Sequence, residues 1–322
     1  GNTVIAGSHF LKARRIIIAT GSRPAPFPCE GGEYALDSDA FIHSETLPSR
    51  AVIVGGGVIG LEMASIMCEY GTEVTVVEYC KEILPGFDAE VARRLNKALS
   101  RRGVKIITSA KAIRLSKNDE GELILEYQGK KGPDTLRAER VYGAVGRRPV
   151  LPEGLPEIGV ELDSRGFIAV DNSYRTNVPG VYAIGDVNGR CMLAHAASAQ
   201  ARIVTEQTTE VGCIPSVVFT IPECASVGAC ADSSDELSAV KIPYGANSKA
   251  LAEDAAEGFV KIVYDRDRTV VGFQALGAHA ADLVAEAAII IDSRYTIDRL
   301  AAYTVSAHPG LSELIQAAAA SV

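Results

Sequence analysis

The chain has little of what would mark a nucleic-acid or membrane protein. Its 32 Lys and Arg are outnumbered by 40 Asp and Glu, a formal charge of -8 at pH 7. That balance argues against a surface built to neutralise nucleic-acid phosphates or anionic lipid. No apolar run reaches the roughly 18 residues of a membrane span, and no basic stretch precedes an apolar block at the start. The seven cysteines, Cys29, Cys68, Cys80, Cys191, Cys213, Cys224 and Cys230, include no CxxC pair and are matched by no histidine cluster. That argues against a disulfide framework or a metal site and fits reduced thiols in a cytoplasmic compartment. Cys224 and Cys230, the nearest pair in sequence, read as ordinary small apolar residues. The expected partners are small molecules and other proteins, with no nucleic acid and no membrane.

What is present is a globular composition: 322 residues, 47% apolar and 22% charged, ample for two or three compact domains. In RRIIIATGSRP, residues 16–18 read as a short buried strand that stops at Gly21 and Pro24. ERVYGAVGRRP repeats that grammar, with residues 141–145 running into Gly146 and Pro149. Two such exits predict two related domains, each ending a sheet and handing the chain to the other. Between them strand and helix alternate: a strand at 51–54, a helix at 60–70, a strand at 73–77, a helix at 88–102 closed by Gly103, and a strand at 104–107. This is the grammar of a parallel sheet. A strand at 123–127 belongs to a smaller, charged meander. Strands resume over 166–186, and after Gly212 strands at 217–220, 239–242, 259–264 and 270–275 precede helices at 280–292 and 309–319, the pattern of an α+β domain.

The segment VIVGGGVIGLEMASIMCEYGTEVTVVEY sets Gly55, Gly57 and Gly60 between an apolar strand and a helix, the setting a dinucleotide fingerprint requires. Gly55 permits the tight turn, Gly57 lets the backbone approach a pyrophosphate, and Gly60 lets helix and strand pack closely. The residues between and after them, Gly56, Val58, Ile59 and Leu61, complete the helix start, whose N–H groups favour negative charge. About twenty residues on, Glu78 ends the second strand, where a carboxylate can bond both ribose hydroxyls and would repel a 2′-phosphate. NAD is the expected nucleotide rather than NADP.

The order of motifs, ATGSRP, GGGVIGLE with Glu78, GRRP, TNVPGVYAIGD, MLAH and AHPGLSEL, resembles the class I pyridine nucleotide-disulfide oxidoreductases, and within them the dihydrolipoamide dehydrogenase branch. The resemblance covers nearly the whole chain. It implies an α/β architecture of four segments: a remnant of an FAD-binding domain at 1–28, a Rossmann-like NAD-binding domain with parallel sheet and meander at 29–147, a second part of the FAD-binding domain at 148–211, and an α+β dimerisation domain at 212–322. It also implies that Thr20, Gly21 and Ser22 touch the FAD adenylate and that Asp186 bonds the ribityl chain. Met192, Leu193, Ala194 and His195 form the helix start beneath the flavin. Glu62 stands near the nicotinamide, with Ala112 and Gly146 as lesser NAD contacts.

Members of the family begin with another GxGxxG for FAD and a CxxxxC disulfide, and neither occurs in this sequence. The resemblance thus implies a truncated chain, inactive by itself, with FAD lost or weakly held. The smaller thioredoxin reductases, of similar length, carry a CxxC inside the NAD domain and lack the C-terminal domain, so they do not match. At AHPGLSEL, Pro309 suits the first turn of a helix, which sets His308 just before it and Glu313 one to two turns on. The resemblance makes these two the acid–base pair. Family members carry HPTLSE, and Gly310 in place of the threonine puts local rigidity in question.

The activity so implied is NAD-dependent oxidation of protein-bound dihydrolipoamide by a homodimer whose partner is a lipoyl-bearing protein of a 2-oxoacid dehydrogenase or glycine cleavage complex. The alternatives are a glutathione or mercuric reductase-like enzyme, against which Glu78 and AHPGLSEL lean, and a non-catalytic NAD-binding dimer module.

Overall fold

A computed structural model describes residues 3–322; Gly1 and Asn2, which open the expected 1–28 segment, lie outside the described residues. The chain divides into two compact units, one joining the residues up to Ala25 with Gly146–Ile214, the other joining Pro26–Val145 with Pro215–Val322. Among the described residues no helix is long and apolar enough to cross a membrane.

The larger unit is built on the alternation the sequence announces. Arg50–Val54, Glu73–Glu78, Lys105–Thr108 and Arg140–Gly143 form a four-stranded parallel sheet in the order 140–143, 50–54, 73–78, 105–108. Val58–Glu69 and Ala89–Arg101 are its helices. An antiparallel meander, Lys111–Lys117, Leu123–Gly129 and Gly132–Ala138, follows. The C-terminal part folds as a five-stranded antiparallel sheet, ordered Ser216–Val218, Cys224–Gly228, Val270–Leu276, Phe259–Tyr264, Ser238–Pro243. Helices Ala280–Asp292 and Glu313–Ala320 pack on it.

These two parts share one apolar core, in which Ile53, Leu61, Met67 and Leu95 lie in the same cluster as Val218, Cys224, Phe259 and Leu276. Apolar area removed from water across that junction is the main force holding them together. Burial pushes the Cys224 thiol up to about 12, so it is a packing residue. Cys29, Cys68, Cys80, Cys191, Cys224 and Cys230 are free thiols.

A cluster of charges lies across the same junction. Asp88 caps the Ala89–Arg101 helix by accepting the N–H groups of Glu90 and Val91 at 2.9 and 3.1 Å. The buried Lys261 ammonium lies 3.0 Å from both Asp88 oxygens and 2.9 Å from Glu90. Lys241 reaches Glu90 at 2.5 Å. Ligand atoms of Asp88, Cys230 and Asp232 come within 4.8 Å of one another, but the counter-cation of Asp88 is already supplied by Lys261.

In the smaller unit Ile16–Ile18 pairs in parallel with Val181–Ala183, and Ser22–Pro24 pairs antiparallel with Arg147–Pro149. The two Gly-x-Arg-Pro motifs are thus each other's strand partners. Ile18, Val160, Ile168, Val181 and Val187 make its core, and Ala194–Val204 is its helix.

The structure corrects two of the expected elements and adds two more. The strands expected over 166–186 reduce to Val181–Ala183 and isolated bridges. Asp163 accepts the N–H groups of Arg165 and Phe167, and Asp171 those of Ser173 and Arg175. Such side-chain bonds fold the backbone into turns in competition with a ladder. The last helix begins at Glu313, not Pro309, because the Glu313 carboxylate takes the Gly310 N–H and stabilises a turn ahead of it. The hairpin Thr3–Ala6 with His9–Lys12 and the helix Ile297–Tyr303 were not read at all. Both hairpin strands are exposed throughout, so no alternation marks them. The helix has a Thr296 cap that was legible, its side chain accepting from Arg299 N–H at 3.2 Å.

Partial burial raises the Glu90 carboxyl, but the Lys241 and Lys261 ammonium groups outweigh it and hold Glu90 at about 2, against an ordinary 4.5. A carboxyl depressed in the folded state stabilises above its unfolded value and loses that contribution as pH falls through the folded one. Urea unfolding of wild type and Glu90→Gln should therefore show the wild type more stable at neutral pH, with the difference vanishing as pH falls from about 4.5 to about 2. A difference independent of pH across that range would contradict the assignment.

Candidate functional site

The glycine turn is fixed by lack of space. Gly55 has φ +115°, and a Cβ there would lie 2.3 Å from the Ala144 carbonyl oxygen. A Cβ on Gly60 would lie 2.0 Å from the Gly55 oxygen. Gly56 is hemmed in by Glu78 and Ile83, whereas a Cβ on Gly57 would meet nothing within 4 Å. The open side of the turn is therefore at Gly57, directly before the Val58–Glu69 helix, which has no side-chain cap at its start. An uncapped helix start beside open backbone has the charge and the access to take an anion.

Glu78, 6% exposed, ends the neighbouring strand. Its carboxylate is held by two main-chain donors, Gly56 N–H on Oε2 and Cys80 N–H on Oε1, each at 2.5 Å. Each oxygen keeps further accepting capacity. Val58 and Ile59 are partly buried at the helix start, and Leu61 is wholly buried in the core, so any contact Leu61 makes outside the core is through its backbone.

Glu62 has a partner of its own: its Oε1 accepts the Phe219 N–H at 2.9 Å. One turn on, Ser65 Oγ accepts the Ile221 N–H at 3.1 Å. Burial raises the Glu62 carboxyl and the Phe219 bond partly offsets this. Ala112 is buried in the meander core with Leu115 and Leu125. Two residues before it, Ala110 N–H donates to the Glu78 carbonyl at 2.9 Å. Gly146 belongs to the smaller unit, where its carbonyl accepts from Ala25 N–H at 2.9 Å.

Within the smaller unit the expected residues of ATGSRP and AIGD are brought together. Ser22 Oγ donates to Asp186 Oδ2 at 2.6 Å, and Arg147 donates to Ser22 Oγ from Nε at 2.6 Å and to its carbonyl from Nη2 at 2.9 Å. The Arg147–Asp186 ion pair is 4.0 Å long. Thr20 donates to the Val150 carbonyl, and Gly21 stands at φ +71°. Met192 and Leu193 precede the helix that opens at Ala194 and His195, and Leu193 gives it no side-chain cap. Sequence reasoning missed the residues that support the Asp186 turn. Gln200 Oε1 accepts from Gly185 N–H and Asn188 Nδ2, both at 2.8 Å. Their only sequence signal is amide side chains on otherwise apolar faces.

His308 and Glu313 meet as expected. His308 Nδ1 lies 3.0 Å from Glu313 Oε1, and Glu313 Oε2 accepts the Gly310 N–H at 2.8 Å. The Gly310 bond, then His308, hold the Glu313 carboxyl below its ordinary value, so it is ionised and acceptor-only at neutral pH. Facing an ionised carboxylate, Nδ1 of His308 is the ring nitrogen placed to donate, and Nε2 points away from Glu313. A Cβ at 310 would lie 2.7 Å from the Ala307 oxygen, so the turn has no room for a side chain there without a shift.

A glycine turn with an acidic partner in one unit, an Asp186 turn with an uncapped helix in the other, and a C-terminal His–Glu pair define the class of flavin-dependent disulfide oxidoreductases, and the comparisons agree. Residues 2–201 match the pyridine nucleotide-disulphide oxidoreductase family and residues 214–319 its dimerisation domain. The chain belongs to that family. It is 36% identical over 319 residues to the dihydrolipoyl dehydrogenase of Geobacillus stearothermophilus, covering 95% of this chain and 67% of the relative. To that of Thermus scotoductus it is 38% identical over 323 residues, covering 95% and 69%. Among solved structures, the HOCl-induced flavoprotein disulfide reductase RclA of Escherichia coli shares its fold, with TM-score 0.89 at 24% identity over 98% of this chain and 75% of that one.

The glycine geometry makes a test of its own. Gly57→Ala should leave thermal stability unchanged, because its methyl points into open space, whereas Gly60→Ala should cost roughly 1–3 kcal/mol as the helix is driven off Gly55. Equal melting temperatures for the two variants would contradict the packing described.

Proposed function

We propose that this chain supplies the NAD-binding, FAD-contacting and dimer-forming residues of an enzyme that oxidises protein-bound dihydrolipoyl groups with NAD. The observation that carries the reading is the His308–Glu313 pair, held at 3.0 Å with Nε2 unencumbered by it. The names of the relatives support the substrate, and the match to a dimerisation domain supports a homodimer. A lipoyl-bearing protein of a 2-oxoacid dehydrogenase or glycine cleavage complex is the partner that fits this substrate.

The residues fit the nucleotide. Gly57 leaves an approach to the Val58–Glu69 helix start, and Glu78, with both oxygens fixed by main-chain donors, can accept from ribose hydroxyls. A 2′-phosphate would meet that carboxylate. The flavin side fits as well. Ser22 donates to Asp186, Thr20 and Gly21 are held by the Val150 backbone, and Met192–His195 lead into an uncapped helix that favours negative charge. When bound, FAD supplies the two-electron carrier between thiol and nucleotide chemistry.

The proton work belongs to the chain's own residues. A dihydrolipoyl thiol must lose its proton to become a nucleophile. His308 takes that proton at Nε2, and Glu313, ionised and bonded to Nδ1, stabilises the imidazolium. Glu62 stands on the same helix as the glycine turn and holds Phe219, so its part is to anchor the backbone of the C-terminal segment beside the nucleotide helix.

Two measurements test the reading. Titration calorimetry should show NADH bound more tightly than NADPH, and Glu78→Gln should narrow the difference, since like charges in contact cost several kcal/mol. Equal or tighter NADPH binding would remove the Glu78 assignment. In a dimer completed with the family's FAD loop and CxxxxC disulfide, His308→Gln should slow dihydrolipoamide oxidation roughly 10²- to 10⁴-fold, the usual worth of a general base. NADH-driven reduction of an artificial acceptor should be unchanged. Full dihydrolipoamide turnover in a variant still dimeric by light scattering would overturn the role.

A further inference from the structure

His308 is 72% exposed in its side chain, so packing does not hold its ring. The loop beneath it does, and that loop is tied to a residue 63 positions away. Asn247 is 5% exposed. Its Oδ1 accepts the Ala250 N–H at 3.0 Å and caps the short helix Ser248–Ala252. Its main-chain N–H donates to the Tyr244 carbonyl at 2.9 Å. Its Nδ2 donates to the Gly310 carbonyl at 2.9 Å. On the other side of the same residue, the Gly310 N–H donates to Glu313 Oε2, and Glu313 Oε1 meets His308 Nδ1. Gly310 is gripped from both sides, by a buried amide at its carbonyl and by the carboxylate at its N–H. The far end of the chain is equally fixed, since Leu314 and Ile315 are buried in the following helix.

We propose that Asn247 is a positioning residue for the His308–Glu313 pair. By fixing the Gly310 carbonyl it sets the orientation of residue 310, aims the Gly310 N–H at Glu313, and so keeps the Glu313 carboxylate on Nδ1 of His308. The consequence at the ring is a single neutral tautomer, with the proton on Nδ1 and the lone pair on Nε2. Its bearing on turnover rests on the base role proposed for His308; the tautomer does not.

Asn247→Asp and Asn247→Ser separate the tether from the cap. Both keep an oxygen able to cap Ser248–Ala252. The aspartate cannot donate to the Gly310 carbonyl, and the serine is too short to reach it. The readout is long-range ¹H–¹⁵N NMR of the imidazoles at alkaline pH in the intact chain, with the five histidines assigned by comparison with His308→Gln. Wild type should show the Nδ1–H form of His308. Each variant should show both tautomers while retaining its circular dichroism and dimeric state, and in a dimer completed with the family's FAD loop and CxxxxC disulfide should slow dihydrolipoamide oxidation roughly tenfold, the worth of one buried hydrogen bond. Should the aspartate variant fail to fold, the serine variant decides alone. A folded variant whose His308 remains wholly in the Nδ1–H form overturns the proposal. A mixed tautomer in Asn247 variants alongside normal turnover in His308→Gln would sustain the positioning role and instead remove the base role.

Discussion

The contact on which the nucleotide side of the molecule depends is the approach of Gly60 to the Gly55 carbonyl, so close that a single methyl there would lie 2.0 Å from the oxygen. It brings the start of the Val58–Glu69 helix against the end of the Arg50–Val54 strand. Because Glu73–Glu78 is the next parallel strand, the same approach brings Gly56 N–H to the Glu78 carboxylate. Turn, helix start and acidic side chain are therefore one rigid piece. An acceptor already fixed by two main-chain donors loses no rotamer freedom when a hydroxyl reaches it.

The same helix has a second duty. Its side chains Glu62 and Ser65 receive the N–H groups of Phe219 and Ile221, which follow the Ser216–Val218 strand of the C-terminal sheet. With the common apolar core and the Asp88–Lys261 pair, they join residues 26–145 and 215–322 into one unit. A buried pair such as Asp88–Lys261 adds little net stability over an apolar equivalent, yet removing either partner would strand a charge. It ties the cap of the Ala89–Arg101 helix to the Phe259–Tyr264 strand. The loop that carries His308 is seated on that C-terminal framework through Asn247, so an exposed histidine stands on a loop tied to a buried scaffold.

In membership of the pyridine nucleotide-disulphide oxidoreductases this chain shows how such a scaffold divides its work. The His308–Glu313 loop has its geometry set by hydrogen bonds, and the glycine turn has its geometry set by steric exclusion at Gly55 and Gly60.

Local periodicity and glycine spacing were enough to read the parallel sheet, both nucleotide-side helices, Phe259–Tyr264 and Ala280–Asp292, and the pairing of His308 with Glu313 came from one short motif. These are features whose physical cause lies within a few residues of chain: a two- or 3.6-residue repeat, a turn needing positive φ, a cap. The 166–186 turns, the late start of the last helix and the exposed hairpin were misread or missed because side-chain bonds or absent burial overrode the pattern. Asn247 carried only the local signal of a helix cap. That its second amide hydrogen would find Gly310, that Glu62 would hold Phe219, and that Lys261 would neutralise Asp88 173 residues away were decided by tertiary structure alone, since a hydrogen bond between distant segments depends on where folding brings two groups and leaves no periodic trace in either.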